Sequence, residues 1–381
     1  MADLDLQGAQ VLGPEGLDRQ ALHIVGGLIS DAPAGRPVSL EGYLVLPGIV
    51  DAHGDGFERH LAPRRGAMKQ MGEGLIAVEA ELAANGITTA VLAQFISWEG
   101  GLRGLEFADE VFQAIAETAP TLVTDLRPQL RFETHLLDLY DSLPERLARW
   151  GVDYIVFNDH LPHARLADGR TPPRMVGQAL KAGRNPEDHF ALMQRLHAQR
   201  HKVPGALDAL CTQLGSRGLR LGSHDDTTAA ERFEWHERGA TIAEFPETQE
   251  AAEAARTHGD GIVLGAPNVV RGGSHNGNVS ALDLIAMGFC DALASDYHYP
   301  SPRRAALMLA DSGVVDFATA WRLVSEGPAR LLGLEDRGTL VPGQCADIVV
   351  LDATTYRVAA TMVRGRFSYL SGDIAERVFA A

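Results

Sequence analysis

Apolar residues fall along this chain in two alternating rhythms. Short blocks rich in Ile, Val, Leu and Ala occupy residues 87–92, 154–157, 219–222, 241–245, 262–264 and 292–295. Between them, residues 75–85, 192–201, 206–214 and 250–258 carry apolar side chains at helical spacing. The first pattern suits strands, the second helices with one buried stripe. Strand followed by helix, many times over, lays each new strand parallel to the last. So many units within a central segment of about 290 residues favour a closed barrel over an open sheet.

The chain ends have a different texture. Residues 8–47 read as short strands and turns, with Gly26-Gly27 between the runs 21–25 and 28–30. The same character returns at 338–344, 346–352 and 361–366. The expected architecture is therefore α/β: a (β/α)8 TIM-like barrel over 48–337, with a small β-sandwich built from 1–47 and 338–381. No sequence repeat and no low-complexity tract interrupts it.

Candidate chemistry sits where the predicted strands end. The apolar run 43–52 empties into His53-Gly54-Asp55, and residues i and i+2 of a strand face the same side. Arg131-Phe132-Glu133-Thr134-His135 repeats the arrangement, with an Arg131–Glu133 ion pair as the alternative reading of that stretch. Asn158-Asp159-His160, Ser223-His224-Asp225-Asp226 and Ser295-Asp296 complete a series of five. One such group is an ordinary polar turn, but five in strand order are hard to reach by chance. Imidazoles and carboxylates without thiolates suit Zn, Mn or Fe(II), and the set is large enough for two divalent ions. His135 is either a donor that orients a ligand or a polar barrel residue. His23, His163, His189, His197, His201, His236 and His258 lie on helical or surface-like segments and are expected to carry nothing catalytic.

Composition narrows the partners. No apolar stretch reaches the roughly 18 residues of a membrane helix, and the acidic start Met1-Ala2-Asp3-Leu4-Asp5 lacks a secretory pattern. Cys211, Cys290 and Cys345 are too few and too scattered for a disulfide framework, so a cytoplasmic location is expected. With 50 acidic against 34 basic residues the net charge of −16 repels nucleic acid. A small anionic substrate remains compatible with local basic clusters, and the subunit state, a homo-oligomer included, is open.

Pro47-Gly48-Ile49-Val50-Asp51-Ala52-His53 and the tail Gly338-Thr339-Leu340-Val341-Pro342-Gly343-Gln344-Cys345-Ala346-Asp347-Ile348-Val349 resemble the two ends of an amidohydrolase-superfamily enzyme. The superfamily's usual first motif is His-x-His; here it is His-x-Asp. Together with Glu58-Arg59-His60, Ser223-His224-Asp225-Asp226, Glu244-Phe245-Pro246, Gly265-Ala266-Pro267-Asn268 and Ala294-Ser295-Asp296-Tyr297, it resembles the branch of α-D-ribose 1-methylphosphonate 5-triphosphate diphosphatases of the carbon-phosphorus lyase pathway. The resemblance implies His53, Asp55, His160, His224 and Asp296 as ligands of divalent metal, zinc before Mn or Fe, with Glu133 as a bridging carboxylate. It also implies Asp296 as general base, taking the proton of the attacking water. A triphosphate needs cations and backbone donors, for which Arg59, His60, Arg64, Arg271, Gly273, Ser274, His275 and His298 are the candidates. Two other readings stand beside it: a superfamily enzyme that opens a cyclic amide or deaminates a base, and a barrel that serves as a non-catalytic interaction module.

Overall fold

The computed structural model describes residues 3–62, 70–273 and 279–380. Eight parallel strands form one sheet in chain order: β1 (Ile49–Gly54), β2 (Ile87–Ile96), β3 (Asp125–Glu133), β4 (Tyr154–Asn158), β5 (Arg220–His224), β6 (Ala240–Glu244), β7 (Gly261–Gly265) and β8 (Ala292–Ala294). A parallel bridge between Gly54 and Asp296 joins the first strand to the segment after the last, so the sheet is a nearly closed barrel. Strands this apolar are sheltered on both faces: every residue of β1 and of β2 is buried.

Helices fill the crossovers. Met71–Ala84 leads from β1 to β2, Leu105–Thr118 from β2 to β3, Ala229–Glu237 from β5 to β6 and Gln249–His258 from β6 to β7. Their starts are chemically marked, since the side chains of Thr228 and Thr248 accept from Glu231 N–H and Ala251 N–H. The β4–β5 crossover is longest and holds His163–Ala167, Met175–Lys181, Pro186–Ala198 and Val203–Ser216.

Both chain ends supply strands, as the turn-rich pattern indicates. A six-stranded sheet runs Arg366–Leu370, Val358–Val363, Ile348–Asp352, Tyr43–Pro47, Gln10–Gly13, Gly16–Arg19, and a four-stranded sheet runs Leu28–Ser30, Leu22–Val25, Leu4–Gln7, Arg36–Ser39. One apolar cluster takes Leu4, Ile24 and Val38 from the smaller sheet and Val45, Ile348, Val350 and Met362 from the larger. The apolar run leading to His53 is thus two strands. It breaks at Pro47-Gly48, because proline gives no N–H to a ladder: Tyr43–Pro47 pairs antiparallel with Ile348–Asp352, and Ile49–Gly54 pairs parallel with β2.

Contacts divide the chain into two compact units, Met1–Leu92 with Thr118–Arg127 and Gly261–Ala381, and Ala93–Glu117 with Pro128–Asp260. In the first, the buried helix residue Gly327 lies under the carbonyl of Asp291, where a Cβ would stand 1.9 Å from that oxygen. Gly327→Ala should therefore cost about 3 kcal/mol, at the upper end of overpacking. Gly205, inside the helix Val203–Ser216, has open space within 4 Å of the point a Cβ would occupy, and Gly205→Ala should stabilise by up to about 1 kcal/mol. Urea unfolding midpoints that move in opposite directions for the two substitutions are the expected result.

Candidate active site

In a parallel barrel the residues just beyond the carboxyl ends of the strands form the usual place for chemistry. In the first unit, β1 and β8 are joined there by a buried latch. The carboxylate of Asp51 accepts from Ser295 N–H at 2.8 Å and from Ser295 Oγ–H at 2.5 Å. Burial raises Asp51 to about 7, against the lowering effect of the Ser295 donors. Just beyond, Asp296 N–H donates to His53 C=O at 3.0 Å and Asp55 N–H to Asp296 C=O at 2.9 Å. His53 is fully buried, Asp55 is half-buried, and Asp296 has a positive φ of 55°. Three expected ligands thus share one short backbone network.

Two arginines flank the residue after Asp296. Arg59, on the short helix Glu58–Leu61, donates to Tyr297 C=O at 3.1 Å and lies 5.5 Å from the Tyr299 ring centre. The Arg271 guanidinium stands 5.7 Å from the centre of the Tyr297 ring. Arg59 also pairs with Glu81, and His60 Nε2 lies 2.6 Å from the same carboxylate. This acid on the helix Met71–Ala84 was not anticipated, because no local pattern links it to residues 59 and 60. His298 Nδ1 is 2.7 Å from Ser301 Oγ, and burial, then Arg304 and Arg59, hold this imidazole below its usual value. Gly273 N–H donates to Asn268 C=O at 3.1 Å, and Gly272, at φ 77°, ends the helix Ala266–Arg271. That start of the glycine-rich stretch is a helix cap, with its Gly273 donor already engaged. Arg64, Ser274 and His275 lie outside the described residues.

In the second unit β3, β4, β5 and β6 end side by side. Glu133, fully buried, accepts from His160 N–H at 2.6 Å and lies 3.3 Å from His160 Nδ1. Arg131 makes no ion pair with it among the described residues. Its guanidinium instead donates to Asn158 Oδ1 at 2.6 Å, while Nη2 stands 3.3 Å from His160 Nε2, 3.2 Å from His224 Nδ1 and 3.6 Å from Asp225. Asp225, turned by a φ of 64°, lies 2.8 Å from His224 Nδ1. Burial opposes charge on both His160 and Asp225, yet the pairing outweighs it. Asp225 and Glu133 lift His160 to about 9, and His224, His160 and Arg131 hold Asp225 well below the usual carboxylate range. Asp226, by contrast, is a structural acid: buried with Arg232 at 3.0 Å and Ser223 at 2.6 Å, it is raised by burial to about 6.

Glu244 carries no expected role from the sequence pattern. It ends β6 in register with His224, and their ligand atoms lie within 4.8 Å of each other. Gln129 Nε2 at 2.9 Å and Tyr154 Oη at 2.6 Å both donate to its Oε1, fixing the carboxylate. The signal was the same as at Glu133, an acid closing an apolar run. Buried nitrogen and oxygen donors, oriented by hydrogen bonds and free of thiolates, fit a divalent ion.

Over 325 residues the chain is 35% identical to the alpha-D-ribose 1-methylphosphonate 5-triphosphate diphosphatase of Escherichia coli (strain K12), covering 81% of this chain and 83% of that protein. The chain belongs to the amidohydrolase superfamily. The amidohydrolase family itself is matched over residues 281–372. The adenine deaminase of Escherichia coli (strain SMS-3-5 / SECEC) is 24% identical over 95% of this superfamily member, which spans 55% of the deaminase. Among solved structures, N-isopropylammelide isopropylaminohydrolase from Burkholderia multivorans superposes with a TM-score of 0.64 over 97% of this chain and all of its own, at 17% identity, a likeness of fold. The protein is accordingly a hydrolase of that superfamily, with groups that can hold divalent metal. No helix among the described residues is long and apolar enough to cross a membrane.

The latch makes the first prediction about this rim. Ser295→Ala removes one bond and should cost about 1–2 kcal/mol, whereas Asp51→Ala strips the acceptor from both donors and should cost about 3 kcal/mol. Equal shifts in urea midpoint would mean that the N–H bond contributes nothing.

Proposed function

We propose that this protein hydrolyses a phosphoanhydride of α-D-ribose 1-methylphosphonate 5-triphosphate, or a near relative, and releases pyrophosphate. The observation that carries the reading is the 35% identity to a diphosphatase of that substrate, maintained over 81% of the chain. His53, Asp55, Glu133, His160, His224 and Asp296 are the proposed metal ligands, and Glu244 joins them as a further candidate. A divalent ion, zinc in the first instance, would supply Lewis acidity and neutralise phosphate charge when bound.

The chain's own residues do the rest. Water forms a bond to the α phosphorus, the P–O bond to the α–β bridging oxygen breaks, and its electron pair leaves with pyrophosphate. Asp296 takes the proton of that water. Its backbone bonds to His53 and Asp55, which fix the main chain of Asp296 against β1, support this role. Arg59, bonded to the Tyr297 carbonyl, and Arg271, near the Tyr297 ring, are the proposed grip on the polyphosphate, since guanidinium groups engage two oxygens at once. His60, Arg64, Gly273, Ser274, His275 and His298 complete the proposed substrate region, Gly273 and His298 through groups other than the atoms already bonded. The proposed domain division is 1–47 with 338–381 around the end sheets, and 48–337 for the barrel.

Pyrophosphate release from ribosyl and nucleoside triphosphates by the metal-loaded enzyme tests the reading. Adenine deamination without pyrophosphate release would replace it with the deaminase alternative favoured by the second relative. Neither activity, with no metal retained, would leave the non-catalytic barrel. Asp296→Asn should lower kcat by at least about a hundredfold while unfolding remains cooperative; unchanged turnover removes Asp296 as the base. Arg271→Ala should raise KM for the triphosphate about tenfold and leave KM for a neutral ester near its original value. An equal rise for both substrates places Arg271 outside the anion grip.

A further inference from the structure

Outside the groups assigned to hydrolysis, two imidazoles of the second unit meet at one carboxylate and a third backs one of them. His135 follows β3, Asp159 follows β4, His163 opens the helix His163–Ala167, and His197 lies in the last turn of Pro186–Ala198. Asp159 Oδ2 is 3.0 Å from His135 Nε2 and 2.8 Å from His163 Nε2, and these three atoms all lie within 4.8 Å of one another. Donors around tetrahedral zinc stand roughly 3.3 Å apart, given bonds of about 2.0–2.1 Å. A spread of a few tenths of an ångström would admit an ion.

The surroundings match those of built metal ligands. A ligating imidazole donates its other N–H to an orienting partner, and a ligating carboxylate is itself hydrogen-bonded. His163 Nδ1 faces His197 Nδ1 at 2.8 Å, and Asp159 Oδ1 accepts from Leu161 N–H at 3.0 Å. In the tautomer in which His163 Nδ1–H donates to His197, the Nε2 lone pair faces Asp159 Oδ2 and can bind a cation; in the opposite tautomer Nε2–H donates to the carboxylate and no ion is needed. The entrance is open as well: His135 is buried, but the side chains of His163 and Asp159 are 33% and 40% exposed.

We propose that His135, Asp159 and His163 bind one divalent cation of the zinc class, separate from the hydrolytic centre, with His197 holding His163 in its ligating tautomer. Two imidazoles and one carboxylate select such an ion over Mg or Ca, which prefer oxygen. None of the four residues belongs to the proposed catalytic or substrate-binding set, so the site stands or falls independently of the diphosphatase reading. The ion ties the loops after two neighbouring strands to two helices of the long β4–β5 crossover.

Zinc content and chelator competition test the proposal on the full chain. After equilibration with Zn2+ and desalting, wild-type protein should retain one more zinc per chain than His163→Gln. His197→Gln should keep the ion but release it to chelator at about 10–100-fold lower affinity, the usual cost of losing an orienting partner. Equal zinc content in wild type and folded His163→Gln overturns the proposal. Should His163→Gln not fold, His197→Gln decides alone: a competition curve identical to wild type overturns the site, and the weakened curve supports it.

Discussion

The rim chemistry depends on closure of the parallel sheet between its first and last strands. A barrel has no free edge only if β1 finds β8, and here that meeting is made by a buried acid. Asp51 accepts both the backbone and the side-chain donor of Ser295, 244 residues away. Two further backbone bonds then fix His53, Asp55 and Asp296 relative to one another. Without the latch the three side chains would sit on separate, fraying strand ends, and their donor geometry would be left to loop entropy.

Much of this was legible in the sequence because it is local. Apolar runs with acid or imidazole at their ends announced β1, β3, β4, β5 and β8, and the turn-rich ends announced strands at both termini, though not the mixed parallel and antiparallel pairing of the two end sheets. Boundaries were less legible: residues 43–55 read as one strand until Pro47 interrupted the ladder. What could not be read is which long side chain turns toward which rim group. An Arg131–Glu133 ion pair is the alternative reading of that stretch, but the guanidinium reaches Asn158, His160 and His224 instead. Glu81 holds Arg59 and His60 from another element, and His163 and His197, whose helical segments gave no sign of a shared task, face one another at 2.8 Å.

The Arg131 cluster shows how the rim holds its charge. A guanidinium, two imidazoles and Asp225 lie within 3.6 Å contacts, and the half-buried carboxylate is kept ionised. Burial works against the charge of such an acid; the cations packed around it outweigh that effect. The same competition is resolved the other way at Asp51, where two neutral donors do not offset burial. At Asp226 burial prevails even beside the single guanidinium of Arg232, so it takes the combined charge of His224, His160 and Arg131 to turn the balance at Asp225.

The 244-residue separation of Asp51 and Ser295 carries a consequence for biosynthesis. Tyr43–Pro47, immediately before β1, likewise pairs with Ile348–Asp352. The strand bearing His53 can pair with β2 soon after it is made, but its other edge and the neighbouring strand Tyr43–Pro47 wait for partners much further along the chain. On the ribosome these pairings therefore follow the local one, by slow, long-range loop closure. A cofactor that uses both His53 and Asp296 is held only once the later stretch has been made, and until then the apolar strand Tyr43–Pro47 is open to chaperones.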